Sequence, residues 1–254
     1  MPSSTSEKHT KHSVRQYLAA NISTRHADLP LLACCFVTGI IDAGAYNAWG
    51  TFMGMQTGNT IFLALGVAGL PTNRAPLQWL RSLLAILSFI MGSLLSSAIA
   101  RPFGPTRRLS LSISFLLQGL SILLAAIFIT TDVIPTNATR SNRVMIGIPV
   151  LAWQFGAQVA ASRALGYNEI PTTVLTSVYN DLATDPRLWT RKNAKRNRRA
   201  AAAVLVLAGG IAGGWLSRLR VGFSIVLWTA GAIKLTIGLA WLAFGEAIAD
   251  GPDV

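Results

Sequence analysis

Long apolar runs separated by short polar connectors dominate the pattern of this chain. Six of the runs reach about 20 residues, the length that an α-helix needs to cross the hydrocarbon core of a bilayer. Prolines mark several boundaries: Pro71 precedes the second run, Pro102 and Pro105 follow it, and Pro135 separates the third from the fourth. The pattern predicts an all-α integral membrane protein with about six transmembrane helices. The predicted spans are Leu29–Ala48, Gln78–Ala100, Leu109–Thr130, Val144–Arg163, Ala200–Ser217 and Val221–Phe244.

Two further apolar stretches, Thr57–Leu70 and Thr172–Ala183, are too short to span comfortably. Each follows a linker that contains glycine or proline, and the second stretch includes the polar residues Asn180 and Asp181. Irregular backbone at membrane depth is tolerated only where it is buried in protein or lines a cavity. We therefore predict that both stretches are half-helices or re-entrant segments packed inside the bundle.

The two halves of the chain share one order of elements. Each half has a long helix, a short segment led by threonine, and two more long helices, with Thr57 and Thr176 offset by 119 residues (57 to 176). Three spans per half would make the halves cross the membrane in opposite directions, which is an inverted internal repeat. Chance similarity among apolar helices is the alternative explanation.

Composition supports a membrane protein. Of the 254 residues, 52% are hydrophobic and 13% are charged, whereas about a quarter of a soluble domain is charged. The net charge of +12 does not indicate nucleic-acid binding, because the basic residues lie in the connectors between apolar runs. Basic connectors are typical of the cytosolic side, where they meet anionic lipids of the bilayer.

Charge and length also predict orientation and domains. Lysine and arginine are more frequent on the side that holds both termini, which favours cytosolic termini. An eight-span arrangement gives a nearly equal charge count, so the shortness of the two segments favours six spans. We expect a plasma membrane or endomembrane location before a mitochondrial one. The predicted domains are a polar basic cytosolic tail (1–28), a transmembrane domain (29–245, with halves near 29–130 and 144–245) and a short acidic C-terminal tail (246–254).

No enzyme pattern occurs in the sequence. The predicted membrane region contains no histidine, and the chain has no nucleophile elbow, zinc-protease motif or phosphate-binding loop. The adjacent cysteines Cys34 and Cys35 favour neither a disulfide framework nor a metal site. We therefore expect no catalytic residue, no metal and no cofactor, and a function that is not enzymatic.

The first predicted span contains a carboxylate, Asp42, and is followed by a glycine-rich break. A carboxylate at this depth is costly and normally faces the bundle interior or a water-filled cavity. Glycines such as Gly54 permit a turn back into the bundle, and the Thr57 hydroxyl would cap the short helix. The start of such a helix suits an anion or a polar solute, while the alternative is that Asp42 locks helices together. The candidate residues here are Asp42, Tyr46, Asn47, Gln56, Thr57, Gly58 and Asn59.

Four more polar residues interrupt the later spans. Lys234 lies midway along the sixth span, where it would pair with Asp42 or extend towards an interface. Gln154 and Gln158 share one face of the fourth span, and Gln118 lies midway along the third. These amides would either line a pathway or hydrogen-bond neighbouring helices.

The run Gly39–Tyr46, with Asp42 inside it, and the run Gly54–Thr60 resemble the signature of the YoaK-like family of multi-spanning membrane proteins (domain of unknown function 1275). The resemblance covers roughly residues 30 to 245 and implies the architecture of that family. A second Thr-Gly-Asn element is often present in the family, and here Thr176–Val178 departs from it. The N-terminal tail and the long basic loop resemble fungal members.

The sequence thus predicts a transporter or channel for a small solute or ion, with its site at the broken helix after the first span. Its expected partners are the lipid bilayer and that unknown solute or ion, without nucleic acid, and a homo-oligomer is compatible with the sequence. The alternative is a membrane scaffold, assembly factor or lipid-interacting protein that transports nothing.

Overall fold

The computed structural model describes residues 14–70, 77–135 and 141–245 of the chain. In these residues the chain forms nine α-helices and a 3-10 turn at Thr24–His26, and no β-strand. The α-helices are α1 (Val14–Ala19), α2 (Asp28–Trp49), α3 (Gln56–Val67), α4 (Gln78–Phe103), α5 (Arg108–Thr130), α6 (Val144–Ala164), α7 (Thr176–Ala183), α8 (Ala194–Leu216) and α9 (Phe223–Ala243).

Six of these helices, α2, α4, α5, α6, α8 and α9, are long and apolar enough to cross a membrane, which confirms the predicted fold class. The main difference is that α8 begins at Ala194 instead of Ala200. Its first two turns are basic, so the rise in hydropathy marks a point inside the helix and not its start. The Asn193 side chain caps the earlier start by accepting a hydrogen bond from the Arg196 N–H at 3.0 Å.

The two short helices do not span the membrane. At 1.5 Å per residue, the 12 residues of α3 and the 8 residues of α7 extend about 18 and 12 Å, against about 30 Å for the hydrocarbon core. After α2 the chain reverses at Gly50, whose φ of 72° is left-handed, and returns to the depth of Asp42. The helix α3 then runs outward, and its Gly66 reaches Trp79 near the start of α4. The first short segment therefore begins with a re-entrant loop. The prediction that both segments pack inside the bundle is wrong, because Asn59 is the single buried residue of α3 and Val178 the single buried residue of α7.

Three helix pairs form the bundle: α2 with α8, α4 with α6, and α5 with α9. Glycines allow the backbones of α2 and α8 to touch. A Cβ atom on Gly39 would lie 2.1 Å from the Val206 carbonyl oxygen, and one on Gly209 would lie 2.1 Å from that of Phe36. Only a residue without a side chain permits so close an approach.

The α4–α6 pair repeats this geometry. A Cβ atom on Gly92 would lie 1.9 Å from the Trp153 carbonyl oxygen, and one on Gly156 would lie 2.0 Å from that of Phe89. A single offset of 117 residues relates the two interfaces (39 to 156, and 92 to 209). Since each half has three spans, the halves run in opposite directions, and this contact geometry supports the inverted repeat with an offset of 117 in place of 119.

The two ends of the described chain meet at one end of the bundle, called here the terminal end. The Tyr17 hydroxyl donates to the Leu242 carbonyl at 2.6 Å, and the Ser23 N–H donates to that of Gly245 at 2.8 Å. The Ile22 side chain is buried in the core at this end. Residues 14–27, which the sequence assigned to the tail, thus pack on the bundle. The remaining predicted tail residues, 1–13 and 246–254, lie outside the described residues.

Candidate functional site

A cluster of buried polar side chains, Lys234, Gln118, Gln158 and Thr38, occupies the middle of the bundle and is called here the central polar cluster. The Lys234 Nζ donates to Gln118 Oε1 at 2.6 Å and to Gln158 Oε1 at 2.5 Å. All three side chains are 0% exposed. They come from α9, α5 and α6, so one ammonium group joins three membrane helices.

The first span completes the cluster. The Gln158 amide Nε2 donates to Thr38 Oγ1 at 3.2 Å, and the Thr38 hydroxyl donates to the Cys34 carbonyl of α2 at 2.9 Å. The Cys34 thiol also interacts with the Lys234 ammonium, and the Phe115 ring centroid lies 5.1 Å from Nζ. The cluster therefore lies where the three helix pairs converge.

Asp42 does not pair with Lys234, which was one of the two alternatives that the sequence left open for this lysine. The Asp42 Oδ1 accepts hydrogen bonds from the backbone N–H groups of Met53 at 2.7 Å and Gly54 at 2.8 Å. The re-entrant loop thus brings two backbone donors to this carboxylate. Among the described residues no carboxylate lies within ion-pair distance of Lys234, and the lysine does not extend to an interface, because it is fully buried.

Asn59 and Gln56 fold the loop that precedes α3. The Asn59 Nδ2 donates to the Phe52 carbonyl at 2.8 Å and to Gln56 Oε1 at 2.9 Å, while its Oδ1 accepts from the Phe52 N–H at 3.2 Å. The Gln56 Nε2 donates to the Met53 carbonyl at 2.8 Å. The predicted cap by Thr57 is wrong: α3 begins at Gln56 without a side-chain cap, and Thr57 is exposed.

The other predicted residues of the first half also lie around this loop. The Tyr46 ring stacks on Phe52 with centroids 4.6 Å apart, and a Cβ atom on Gly58 would lie 3.0 Å from the Phe52 ring. Asn47 is exposed and borders a shallow groove of about 420 Å³ along α8. The residues from Asp42 to Asn59 therefore form a structural unit separate from the central polar cluster.

Gln154 differs from the other buried amides. It is 0% exposed, and neither its Nε2 nor its Oε1 has a hydrogen-bond partner in the described part of the chain. Leaving a buried polar group unpaired costs about 1–3 kcal/mol. Gln154 lies four residues before Gln158 on α6, so it occupies the same face about 6 Å farther along the helix axis. Gln154 is thus about one helical turn from Gln158, the member of the central polar cluster on α6.

Ion pairs tie the helix pairs together at the terminal end. The Arg198 Nε lies 2.9 Å from Asp28 Oδ2, and its Nη1 lies 3.1 Å from Glu169 Oε1. These three residues are called here the terminal lock. The Arg198 guanidinium also lies 4.8 Å from the Tyr167 ring centroid. Burial, together with the negative charge of Asp28, raises the pKa of the Tyr167 hydroxyl.

A matching arginine lies at the opposite end of the bundle. The Arg81 Nη1 donates to the Trp49 carbonyl at 3.0 Å, and its Nη2 donates to that of Ser141 at 3.2 Å. These three residues are called here the opposite lock. Arg81 and Arg198 are separated by the repeat offset of 117 residues (81 to 198). Neither arginine was a candidate from the sequence, because Arg198 lies in a predicted connector and Arg81 in the first turn of the second predicted span; their spacing was the available signal.

Comparison with known proteins agrees with this architecture. Residues 30–240 match the family described as "Protein of unknown function (DUF1275)", which covers most of the chain. The chain belongs to the DUF1275 family. No curated protein and no solved structure matches it significantly. The match confirms the family resemblance of the Gly39–Tyr46 and Gly54–Thr60 runs, while the description of the family assigns no activity.

A second cavity of this DUF1275 protein lies at the terminal end, beside the start of α8, with a volume of about 270 Å³. Asp185 borders it and accepts hydrogen bonds from the Arg187 N–H at 2.8 Å and from Asn193 Nδ2 at 2.9 Å. These bonds hold the pKa of Asp185 below its usual value. Neither this cavity nor the groove beside Asn47 touches the central polar cluster, whose members are buried.

The loop contacts predict different effects for two substitutions of Asp42 in the DUF1275 protein. In Asp42→Asn the side-chain oxygen still accepts from the two loop amides, so we expect only a small loss of stability. In Asp42→Ala both buried amides lose their acceptor, and we expect a loss of about 2–4 kcal/mol. Thermal unfolding in detergent, followed by tryptophan fluorescence, measures both. Equal losses in the two variants would show that the negative charge, and not the acceptor geometry, stabilises the loop.

Proposed function

We propose that this DUF1275 protein is a transporter of a small solute or ion that binds at the central polar cluster. The observation that carries the proposal is the environment of Lys234. This lysine is 0% exposed, contacts uncharged oxygens of α5 and α6, and has no carboxylate partner among the described residues. A charged side chain at the centre of a bilayer costs about 3 kcal/mol or more, and such residues commonly mark substrate and ion pathways.

Transport further requires access from each side in turn. The terminal lock connects the α2–α8 pair to the segment after α6, and the opposite lock connects the α4–α6 pair to the end of α2. In our proposal one lock opens while the other stays closed, and the helix pairs rock around the central polar cluster. Inverted repeats are typical of this cycle, in which one part of the bundle rocks against the other around a fixed site.

The proposed site differs from the broken helix that the sequence indicated. Asp42 and Asn59 hydrogen-bond to the backbone of the re-entrant loop, so few of their donors and acceptors are available to a ligand. These contacts favour a supporting role for the loop. They are also what a non-transporting scaffold would contain, so the scaffold is the rival function. The rival function does not require a buried ammonium group without a carboxylate partner in the middle of the bundle.

The test is a flux survey in liposomes that contain purified protein. Stopped-flow light scattering would follow potassium salts of monovalent anions with valinomycin, monovalent cations, and the neutral solutes urea and glycerol. We expect the wild type to pass one of these classes faster than empty liposomes do. In Lys234→Met we expect that rate to fall at least about tenfold, since loss of one charge-assisted contact exceeds about 1.4 kcal/mol.

Thr236→Val is the matched control on α9. Thr236 is exposed, and its hydroxyl donates only within the helix, to the Ala232 carbonyl at 3.0 Å. We expect this variant to keep the wild-type rate, and size-exclusion profiles of all three proteins should be monodisperse. Absence of flux for every class would contradict transport and favour the scaffold. Flux that Lys234→Met leaves unchanged would contradict the proposed site.

A further inference from the structure

We infer that the transported substrate is a small anion, bound between the Lys234 ammonium and the Gln154 amide. The inference rests on the transport function proposed above and names its substrate class. Two independent features carry it: a buried positive charge without a countercharge, and a buried amide without a partner.

The charge balance of the cluster favours an anion. The oxygens that contact Lys234 belong to the neutral amides Gln118 and Gln158. The nearest carboxylate along α2, that of Asp42, is occupied by the loop amides of Met53 and Gly54. An entering anion would neutralise the ammonium group where the dielectric constant is low, whereas a cation would meet a like charge there.

The orientation of the amides favours the same substrate class. One N–H of Gln118 donates to Ser114 Oγ and one of Gln158 donates to Thr38 Oγ1, each at 3.2 Å. The oxygens of both amides accept from Lys234. Each of these amides has a second N–H, and Gln154, one helical turn away on α6, has no hydrogen-bond partner for either its nitrogen or its oxygen within the described residues. The Lys234 ammonium and the Gln154 amide N–H are both hydrogen-bond donors. An anion can accept hydrogen bonds from both groups.

The spacing limits the size of the anion. Gln154 and Gln158 are about one helical turn apart, so their backbone positions are separated by about 6 Å along the axis of α6. Both glutamines and the lysine are 0% exposed. Since these residues border neither of the two cavities described above, we expect an ion of a few atoms, such as chloride, nitrate or formate, because a larger organic anion would require the helices to separate.

Gln154→Leu tests the inference, because function and stability should change in opposite directions. Leucine has a similar volume and removes an unpaired buried amide, so we expect a higher unfolding temperature. We also expect flux of the permeant anion to fall at least about tenfold, through loss of one contact to a charged ligand. A purely structural role for Gln154 would not produce this combination.

The probes are potassium chloride, nitrate and formate, compared with urea, glycerol and sodium gluconate in the same liposomes. Binding is measured separately as the rise in unfolding temperature that each anion causes relative to gluconate at equal ionic strength. We expect at least one anion to raise the unfolding temperature of the wild type and of Thr236→Val. We expect no such rise in Lys234→Met.

The outcomes separate this inference from the function on which it rests. Flux of an anion that depends on both Lys234 and Gln154 supports it. Flux of a neutral solute or of sodium without anion flux overturns the substrate class and leaves the transporter intact. Anion flux that Gln154→Leu leaves unchanged overturns the assignment of Gln154. Absence of all flux, together with absence of any anion-dependent thermal shift, overturns both.

Discussion

Replacing Gly209 with valine should prevent α2 and α8 from packing and should cost at least about 3 kcal/mol, the upper part of the range for an overpacked interface. The reason is backbone contact. A Cβ atom at this position would lie 2.1 Å from the Phe36 carbonyl oxygen and 3.1 Å from the Ile40 nitrogen. Neither atom belongs to a movable side chain, so the two helices would have to separate.

Gly214→Val is the control for this substitution. Gly214 lies five residues later on the same helix, and a Cβ atom there would have no atom within 4 Å. We expect this variant to match the wild type in its monodisperse fraction on size exclusion and in its unfolding temperature. In Gly209→Val we expect both quantities to be lower. Equal behaviour of the two variants would mean that the α2–α8 interface is looser than the structure indicates.

The second large effect is expected at Arg198. Its replacement by methionine leaves Asp28 and Glu169 without their shared cation, and the Glu169 side chain is only 9% exposed. Because the terminal lock is partly buried, we expect a loss of about 2–3 kcal/mol, below the 3–5 kcal/mol of a fully buried pair. The unfolding temperature in detergent, measured at low and at high salt, would report this loss.

The neighbouring arginine provides the comparison. Arg199 lies 3.2 Å from Asp181, whose side chain is 47% exposed, and 3.8 Å from Asp185, which has other hydrogen-bond donors. Exposed pairs contribute little, so we expect Arg199→Met to cost less than about 1 kcal/mol. A loss as large as that of Arg198→Met would show that general charge balance at this end, and not the terminal lock, stabilises the bundle.

The spans could be predicted from the sequence because a bilayer imposes one simple requirement. About 20 apolar residues must follow each other, and the requirement is met six times. The start of α8 could not be found in this way. Its first turns carry Lys195, Arg196, Arg198 and Arg199, so hydropathy rises only at Ala200, although Asn193 already caps the helix.

The site was predictable only in part. Lys234, Gln118 and Gln158 are polar residues in apolar spans, and this contrast identified them. Pairing with Asp42 was one of two alternatives for Lys234, but the re-entrant loop brings backbone N–H groups to that carboxylate instead. Hydropathy cannot rank such competing donors, because they are set by the path of the loop in three dimensions.

Each of the three helix pairs joins a helix of the first half to a helix of the second half, and this has a consequence for biogenesis. The helix α2 ends at Trp49, and its partner α8 begins at Ala194. At about 5–20 residues per second, a ribosome needs roughly 7–29 s to make the chain between them. During that time Gly39 faces lipid instead of the α8 backbone. The three helix pairs of the bundle therefore assemble only after the second half is inserted, whereas the contacts of the re-entrant loop and of α3 with α4 need the first half alone.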